Sequence, residues 1–177
     1  MKRIKISAKR LGTIAHYIGV ICEYLFVIFL AVWLNSVLKL LNLFNFLFKV
    51  FGLILIAFGI FLILWSSGLQ FKIGQGTTGF SEPTKRLVTY GPYGHVRNPM
   101  MEGQFLFFAG FGFLLDLLAM FIILPILILA IHGFIVYIEE PNLKRRFGQE
   151  WISYTKRVAK WFPRICRTHN KARIKSQ

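Results

Sequence analysis

The sequence contains few acidic residues and almost no cysteine. Its 177 residues include seven Asp and Glu against 22 Lys and Arg, and only two cysteines, Cys22 and Cys166. Two cysteines, one in an apolar run and one in a basic tail, cannot build a disulfide framework or a site with zinc-ligand spacing. Spacings typical of a Ser–His–Asp triad or a zinc protease are also missing. We therefore predict no metal site and assign no catalytic residue.

Charged residues are scarce as a class. They make up 16% of the chain, whereas hydrophobic residues make up 55% and include 19 Phe. Soluble domains are usually about 25% charged, and a soluble core of this size could not cover so much apolar surface. The mean hydropathy of +0.57 agrees. The composition excludes an ordinary cytosolic domain and a disordered chain, and it predicts an integral membrane protein.

The basic excess gives a net charge of +15. In a soluble protein this balance would indicate nucleic-acid binding. Here the basic residues lie beside apolar runs, which indicates the anionic surface of a bilayer instead. We predict the bilayer as a partner and no nucleic acid.

Four apolar segments predict four transmembrane helices in one domain, residues 1–177. A span needs about 20 apolar residues, and the third segment reaches that length only if it begins near Asn98. Basic residues concentrate before the first span, between the second and third, and after the fourth. Because such residues favour the cytoplasmic side, we predict a multi-pass all-α protein with both termini and the 67–97 loop in the cytoplasm. The predicted spans are 12–38 and 44–66, which form a first helical pair, then 98–115 and 118–138.

The tail after the fourth span predicts an amphipathic helix. Pro141 fits the first turn of a new helix after a break at Glu140. Basic residues surround an apolar face, a pattern typical of a helix lying in the headgroup layer. A helix packed against the end of the bundle is the alternative. The apolar face consists of Leu143, Phe147, Trp151, Tyr154 and Val158.

Two polar motifs flank the last pair of spans. The loop YGPYGHVRNP ends at Asn98 and Pro99, which fit the N-cap and first turn of the third helix. Glu139 and Glu140 follow the fourth span, where two carboxylates oppose the helix dipole and require a cation. That cation is either the nearby basic group at 144–146 or part of a ligand. Because the two spans form a hairpin, the motifs meet at the membrane surface and predict a site there.

A glycine-rich stretch at residues 74–79 could be taken for a nucleotide-binding loop. It follows no predicted strand, so it does not form a Rossmann fingerprint. We predict a flexible loop.

The motifs GPYGHVRNPMM, EEPNL and FGQEW, followed by Tyr154 and KRV, resemble those of membrane methyltransferases. This group includes isoprenylcysteine carboxyl methyltransferase and the phospholipid methyltransferases, and the resemblance covers residues 85–164. It implies S-adenosylmethionine as the cofactor, bound on the cytoplasmic side without a Rossmann domain. By position, the implied cofactor-binding residues are Lys85, Leu87, Val88, Tyr93, Arg97, Asn98, Pro99, Met101, Glu139 and Glu140.

The resemblance also bears on the methyl acceptor. Ile135 stands where the eukaryotic carboxyl methyltransferases carry a substrate-binding Arg. We therefore expect a membrane lipid or an isoprenoid-like hydrophobic molecule rather than a prenylcysteine carboxylate, with His132 and Arg157 as candidate substrate residues. Two alternatives stay open: an NADPH-dependent reductase of the sterol type, which has a similar C-terminal region, and a non-enzymatic membrane adaptor.

Overall fold

The computed structural model describes residues 2–41, 43–75 and 84–163, with side chains from residue 18 onward. A 3₁₀ turn, Gly91–Gly94, precedes the third helix, and a π turn, Ile135–Glu139, joins the last two. Within the described residues the prediction of an all-α protein is confirmed, since no strand forms there. The helices are α1 Lys2–Val37, α2 Phe46–Lys72, α3 Pro99–Leu114, α4 Leu118–Phe134 and α5 Glu140–Arg157.

Three helical stretches are long and apolar enough to cross a membrane: Ile18–Val37, Phe46–Lys72 and Leu118–Arg157. Outward-facing side chains on the first two, such as Phe29 at 66% exposure, present extensive apolar surface of the kind that contacts lipid. The protein is therefore an integral membrane protein. Since α3 has only 16 residues, the count of four spans stays a prediction, as do the single-domain boundaries. Most of the glycine-rich stretch 74–79 lies outside the described residues.

Glycines bring α2 and α3 into close contact. Gly52 faces Gly110 and Gly59 faces Gly103, so the two helices run antiparallel. A methyl group added at Gly52 would lie 2.6 Å from the carbonyl oxygen of Gly110, and one added at Gly59 would lie 2.6 Å from that of Gly103. Small residues let membrane helices approach closely enough for extensive van der Waals contact. This contact holds the short α3 in place.

Polar side chains tie the loops together at the end of the bundle where α3 meets α4. Asp116 lies in the tight turn between α3 and α4, with φ of 56°. The Asp116 carboxylate accepts hydrogen bonds from the backbone N–H groups of Leu43 and Phe44, at 3.1 and 3.2 Å. The Asn35 side chain accepts one from the N–H of Ala119 at 3.3 Å. These bonds link both helical hairpins at that end.

The predicted break at Glu140 is wrong. Glu139 and Glu140 both have right-handed helical dihedral angles, and the chain stays helical from α4 into α5. The Glu140 N–H donates to the carbonyl of Ile135, which defines a π turn. A π turn holds one more residue than an α turn. The extra residue rotates the following part of the helix about its axis. His132 and Glu139, seven residues apart, would share one face of a regular α-helix, and the π turn removes that alignment.

The apolar face predicted for α5 is present, although the helix is kinked at Gly148, where φ is +53°. Trp151, Tyr154 and Val158 form a buried cluster with Leu87 of the loop packed against it. The face is thus covered by protein, as in the alternative of a helix packed on the bundle end. A position of α5 in the headgroup layer stays a prediction.

Candidate functional site

A cavity of about 610 Å³ lies where the loop before α3 meets the π turn and α5. Side chains from α2, α3 and the end of α4 complete its wall, so both sequence motifs and the membrane helices contribute to it. The lining residues are Gln70, Thr84, Leu87, Val88, Tyr93, Arg97, Asn98, Met100, Met101, Phe134, Ile135, Glu139, Glu140, Asn142, Leu143, Arg145, Arg146, Trp151 and Tyr154.

The structure brings eight of the ten candidate cofactor residues to this cavity. Lys85 is exposed outside the lining and Pro99 is buried behind it. The eight are Leu87, Val88, Tyr93, Arg97, Asn98, Met101, Glu139 and Glu140. Their role in binding stays a prediction.

Neither candidate substrate residue lines the cavity. The Nδ1 atom of His132 accepts a hydrogen bond from the indole N–H of Trp161 at 2.9 Å. Arg157 is exposed, and its Nε donates to the carbonyl of Ser153 at 3.4 Å. The structure therefore places both residues outside the site that the two motifs form.

Glu140 is neutralised by cations from distant parts of the chain. Its Oε1 atom lies 2.9 Å from Nη1 of Arg97 and 3.3 Å from Nζ of Lys160. The Arg97 guanidinium also lies over the ring of Trp151, 5.7 Å from its centroid. The counter-cation for this carboxylate is thus in the loop and the tail, not in the basic group at 144–146. Glu140 connects three segments that are far apart in sequence.

The tail beyond α5 is bonded to the loop. The Arg97 N–H donates to the carbonyl of Ala159 at 2.8 Å, next to an isolated parallel bridge between Val96 and Ala159. Asn98 occupies the N-cap position of α3 but its side chain does not cap the helix. Instead its Nδ2 donates to the carbonyl of Lys160 at 3.2 Å. The residue predicted as a cap therefore fixes the tail.

Tyr93 forms a buried part of the cavity wall. Its backbone carbonyl accepts a hydrogen bond from the Tyr154 hydroxyl at 2.7 Å. Burial raises the pKa of the Tyr93 phenol to about 12; a hydrogen bond with Gln70 opposes this rise and the charge of Glu139 adds to it. The phenol is therefore neutral at physiological pH. Gly91, with φ of +58°, lets the loop turn against α2, since a methyl group there would lie 2.9 Å from Leu69.

Two side chains of the cavity wall, Glu139 and Gln70, present oxygen atoms that a ligand could use as acceptors. Glu139, unlike Glu140, has no Lys or Arg nitrogen within ion-pair distance in that part of the chain. The Oε1 atom of Gln70 is buried and accepts no hydrogen bond from the residues described. A carboxylate and an amide oxygen of this kind suit a ligand that carries N–H, hydroxyl or cationic groups.

Several lining residues were not predicted for the site. Gln70 lies beyond the predicted end of the second span, and no motif marks it. Arg145 and Arg146 were considered as basic positions on α5 and as counter-charges for the acid pair. Trp151 was considered as part of an apolar face and of the FGQEW motif. These residues line the cavity because α5 folds back over the loop, and the local sequence does not encode that arrangement.

A family model described as phospholipid methyltransferase matches residues 47–150. The match begins in α2 and ends in α5, so it includes most of the cavity lining. Comparison with curated proteins and comparison with solved structures each gave no match.

Proposed function

Since the chain belongs to the phospholipid methyltransferase family, we propose that it transfers a methyl group from S-adenosylmethionine to a lipid-soluble acceptor. The family makes it a membrane methyltransferase, which favours methyl transfer over the reductase alternative. The identity of the methyl donor and the class of acceptor are our proposals.

The observation that carries the proposal is the cavity itself. Its volume of about 610 Å³ lies in the range of about 300–1,000 Å³ usual for small-molecule sites. S-adenosylmethionine carries an ammonium group, hydroxyls and an adenine amino group. The carboxylate of Glu139 and the buried Oε1 of Gln70 offer acceptors for such groups, and Trp151 adds an aromatic surface. The residues present fit the cofactor.

When bound, S-adenosylmethionine supplies a methyl carbon activated by a positively charged sulfur. Displacement at that carbon needs an acceptor atom held in line at about 3–3.5 Å, and no nucleophile from the protein. The contribution of this chain is therefore placement and exclusion of water. Glu139 and Gln70 would hold polar groups of the cofactor, while Met100, Met101 and Ile135 supply apolar parts of the wall.

The apolar part of the wall supports a lipid-soluble acceptor. Met101, Phe134 and Ile135 line the cavity where it adjoins the membrane helices, so a hydrophobic molecule could reach it from the bilayer. Ile135 is 1% exposed and supplies no cation for a carboxylate at the position where the carboxyl methyltransferases carry Arg. An unpaired carboxylate would bind poorly there. We therefore propose an acceptor other than a prenylcysteine.

A methyl-transfer assay tests this proposal. The protein purified in a non-ionic detergent is incubated with methyl-labelled S-adenosylmethionine, together with total membrane lipids or a farnesylcysteine analogue. We expect label in the lipid fraction and none in the farnesylcysteine analogue. Stability of the labelled product to base would separate an N-methyl or ether methyl from an ester.

Other outcomes would identify the alternatives. Efficient labelling of the farnesylcysteine analogue would contradict the proposed acceptor class while leaving methyl transfer intact. Binding of NADPH in place of S-adenosylmethionine would favour the reductase, and binding of neither would favour the adaptor.

A further inference from the structure

In the part of the chain that the structure describes, two arginines of the cavity wall are held only by neutral groups. Nη2 of Arg145 donates to Oδ1 of Asn142 at 2.8 Å, and Nη2 of Arg146 donates to the carbonyl oxygen of Thr84. The Arg146 guanidinium also lies over the ring of Phe147, 5.1 Å from its centroid. Both arginines line the cavity from the first half of α5.

Arg97, by contrast, forms an ion pair with Glu140. In the described ranges, no carboxylate lies within ion-pair distance of Arg145 or Arg146. A guanidinium has five N–H donors, and a single neutral acceptor leaves its charge and most of these donors available. Its planar fork matches the two oxygens of a carboxylate or a phosphate.

The two arginines are also partly pre-positioned. The bond to Thr84 and the Phe147 ring restrain Arg146, and the bond to Asn142 restrains Arg145. Ordering a flexible side chain costs binding free energy, and a side chain already held in place costs less. The cavity thus presents the Glu139 carboxyl group, which has no cation partner among the described residues, at the π turn and two guanidinium groups on α5.

We propose that Arg145 and Arg146 form an oxyanion-binding subsite of this cavity, which takes a phosphate or carboxylate group of a ligand. Only the identity of that ligand rests on the proposed function. The oxyanion would then be either the phosphate of a lipid acceptor or the carboxylate of S-adenosylmethionine. In both cases Arg145 and Arg146 determine which molecules the cavity accepts.

Calorimetry on the full chain in dodecyl maltoside tests the subsite with three probes. These are dihexanoylphosphatidic acid, its phosphate-free counterpart dihexanoylglycerol, and S-adenosylmethionine. The variants are Arg145→Gln, Arg146→Gln and the corresponding Lys substitutions. Lys144→Gln is the matched control, because it removes the same charge from an exposed neighbouring position on α5 that does not line the cavity.

We expect each Gln variant to weaken one oxyanion probe about ten-fold, which is the effect of one charge-assisted hydrogen bond. The Lys variants should recover part of the lost affinity, because lysine keeps the positive charge but cannot form the paired hydrogen bonds of a guanidinium. If the variants bind phosphatidic acid more weakly but S-adenosylmethionine as before, the subsite takes a lipid phosphate. If they bind S-adenosylmethionine more weakly but phosphatidic acid as before, it takes the cofactor carboxylate. The substitutions should not change the binding of dihexanoylglycerol, and Lys144→Gln should bind all three probes as the wild type does.

The subsite is overturned if neither oxyanion probe binds the wild-type protein, if both bind every variant within two-fold of the wild type, or if Lys144→Gln weakens them equally. Failure of the proposed function gives a different result. In that case the wild-type protein does not bind S-adenosylmethionine, yet phosphatidic acid still binds more tightly than dihexanoylglycerol in an Arg-dependent way.

Discussion

At the scale of single residues, the two adjacent glutamates have different surroundings and therefore different roles. Glu140 is shared by Arg97 and Lys160, so its charge is used to hold the loop, the helix and the tail together. Glu139 lines the same cavity without a cation among the described residues. The π turn sets this difference, because it determines the direction in which each carboxylate leaves the helix.

We expect Glu140→Gln to destabilise the protein by about 1–3 kcal/mol, since it leaves two largely buried cations close together without a counter-charge. The side chains of Arg97 and Lys160 are 13% and 18% exposed, which keeps the effect below that of a fully buried pair. Thermal unfolding in detergent measures it. Glu150→Gln is the control, because Glu150 is exposed on the same helix. Equal unfolding temperatures for the two variants would contradict the linking role of Glu140.

The sequence alone did not reveal the partner of Glu140. The cations nearest in sequence, residues 144–146, were the candidate partners. In the structure Glu140 pairs with Arg97 from the loop before α3. That pairing requires the hairpin of α3 and α4 to bring the loop back beside α5. Asn98 illustrates the same limit, since its N-cap position was predicted while its bond to the tail was not.

At the scale of helices, the position of α3 depends on glycine contacts with α2. Gly52 and Gly110 approach so closely that a side chain on either would meet backbone atoms of the other helix. Because α3 begins at the cavity, the same contacts fix the depth of Met100 and Met101 in its wall.

Gly52→Ala should therefore destabilise the protein by about 1–3 kcal/mol, the usual cost of overpacking. Gly68→Ala on the same helix is the matched control, since no atom lies within 4 Å of a methyl group added there. It should be neutral or stabilising by up to about 1 kcal/mol, because alanine favours helix over glycine. Thermal unfolding of both variants measures the difference. A Gly52→Ala protein as stable as Gly68→Ala would show that α2 and α3 do not pack in this way.

Helix boundaries were predictable where hydropathy changes sharply. The predicted third span, 98–115, differs from α3 by one residue at each end, and α4 begins at the predicted residue 118. The second span was predicted to end at 66, but α2 continues to Lys72, because polar residues end an apolar run without ending a helix. The π turn had no local signal. Pro141 lies in the first turn of α5, as predicted, but the chain does not leave the helical conformation before it.

At the scale of the whole molecule, the two ends of the bundle differ in chemistry. One end carries the Asp116 turn and its hydrogen bonds to the α1–α2 connection. The other carries the loop, α5 and the cavity, together with the exposed basic residues Lys144, Arg145 and Arg146. Because basic residues favour the cytoplasmic side, we expect the cavity to open there, where a water-soluble cofactor is available.

Labelling of single cysteines tests this orientation. In a Cys22→Ser/Cys166→Ser background, Gln75→Cys lies beyond α2 at the cavity end, and Leu115→Cys lies between α3 and α4 at the other. An impermeant maleimide applied to intact cells should label Leu115→Cys and should reach Gln75→Cys only after permeabilisation. Labelling of Gln75→Cys in intact cells would contradict the orientation.

We propose that the cavity between the loop and α5 binds S-adenosylmethionine through Glu139. Calorimetry with the purified protein, Glu139→Ala and Glu150→Ala tests it most directly. We predict that Glu139→Ala weakens binding by about ten-fold or more, as expected when a charged hydrogen-bond acceptor is removed. Glu150→Ala should bind as the wild type does, and all three proteins should unfold at similar temperatures. Wild-type affinity in a well-folded Glu139→Ala protein would show that Glu139 does not bind the cofactor.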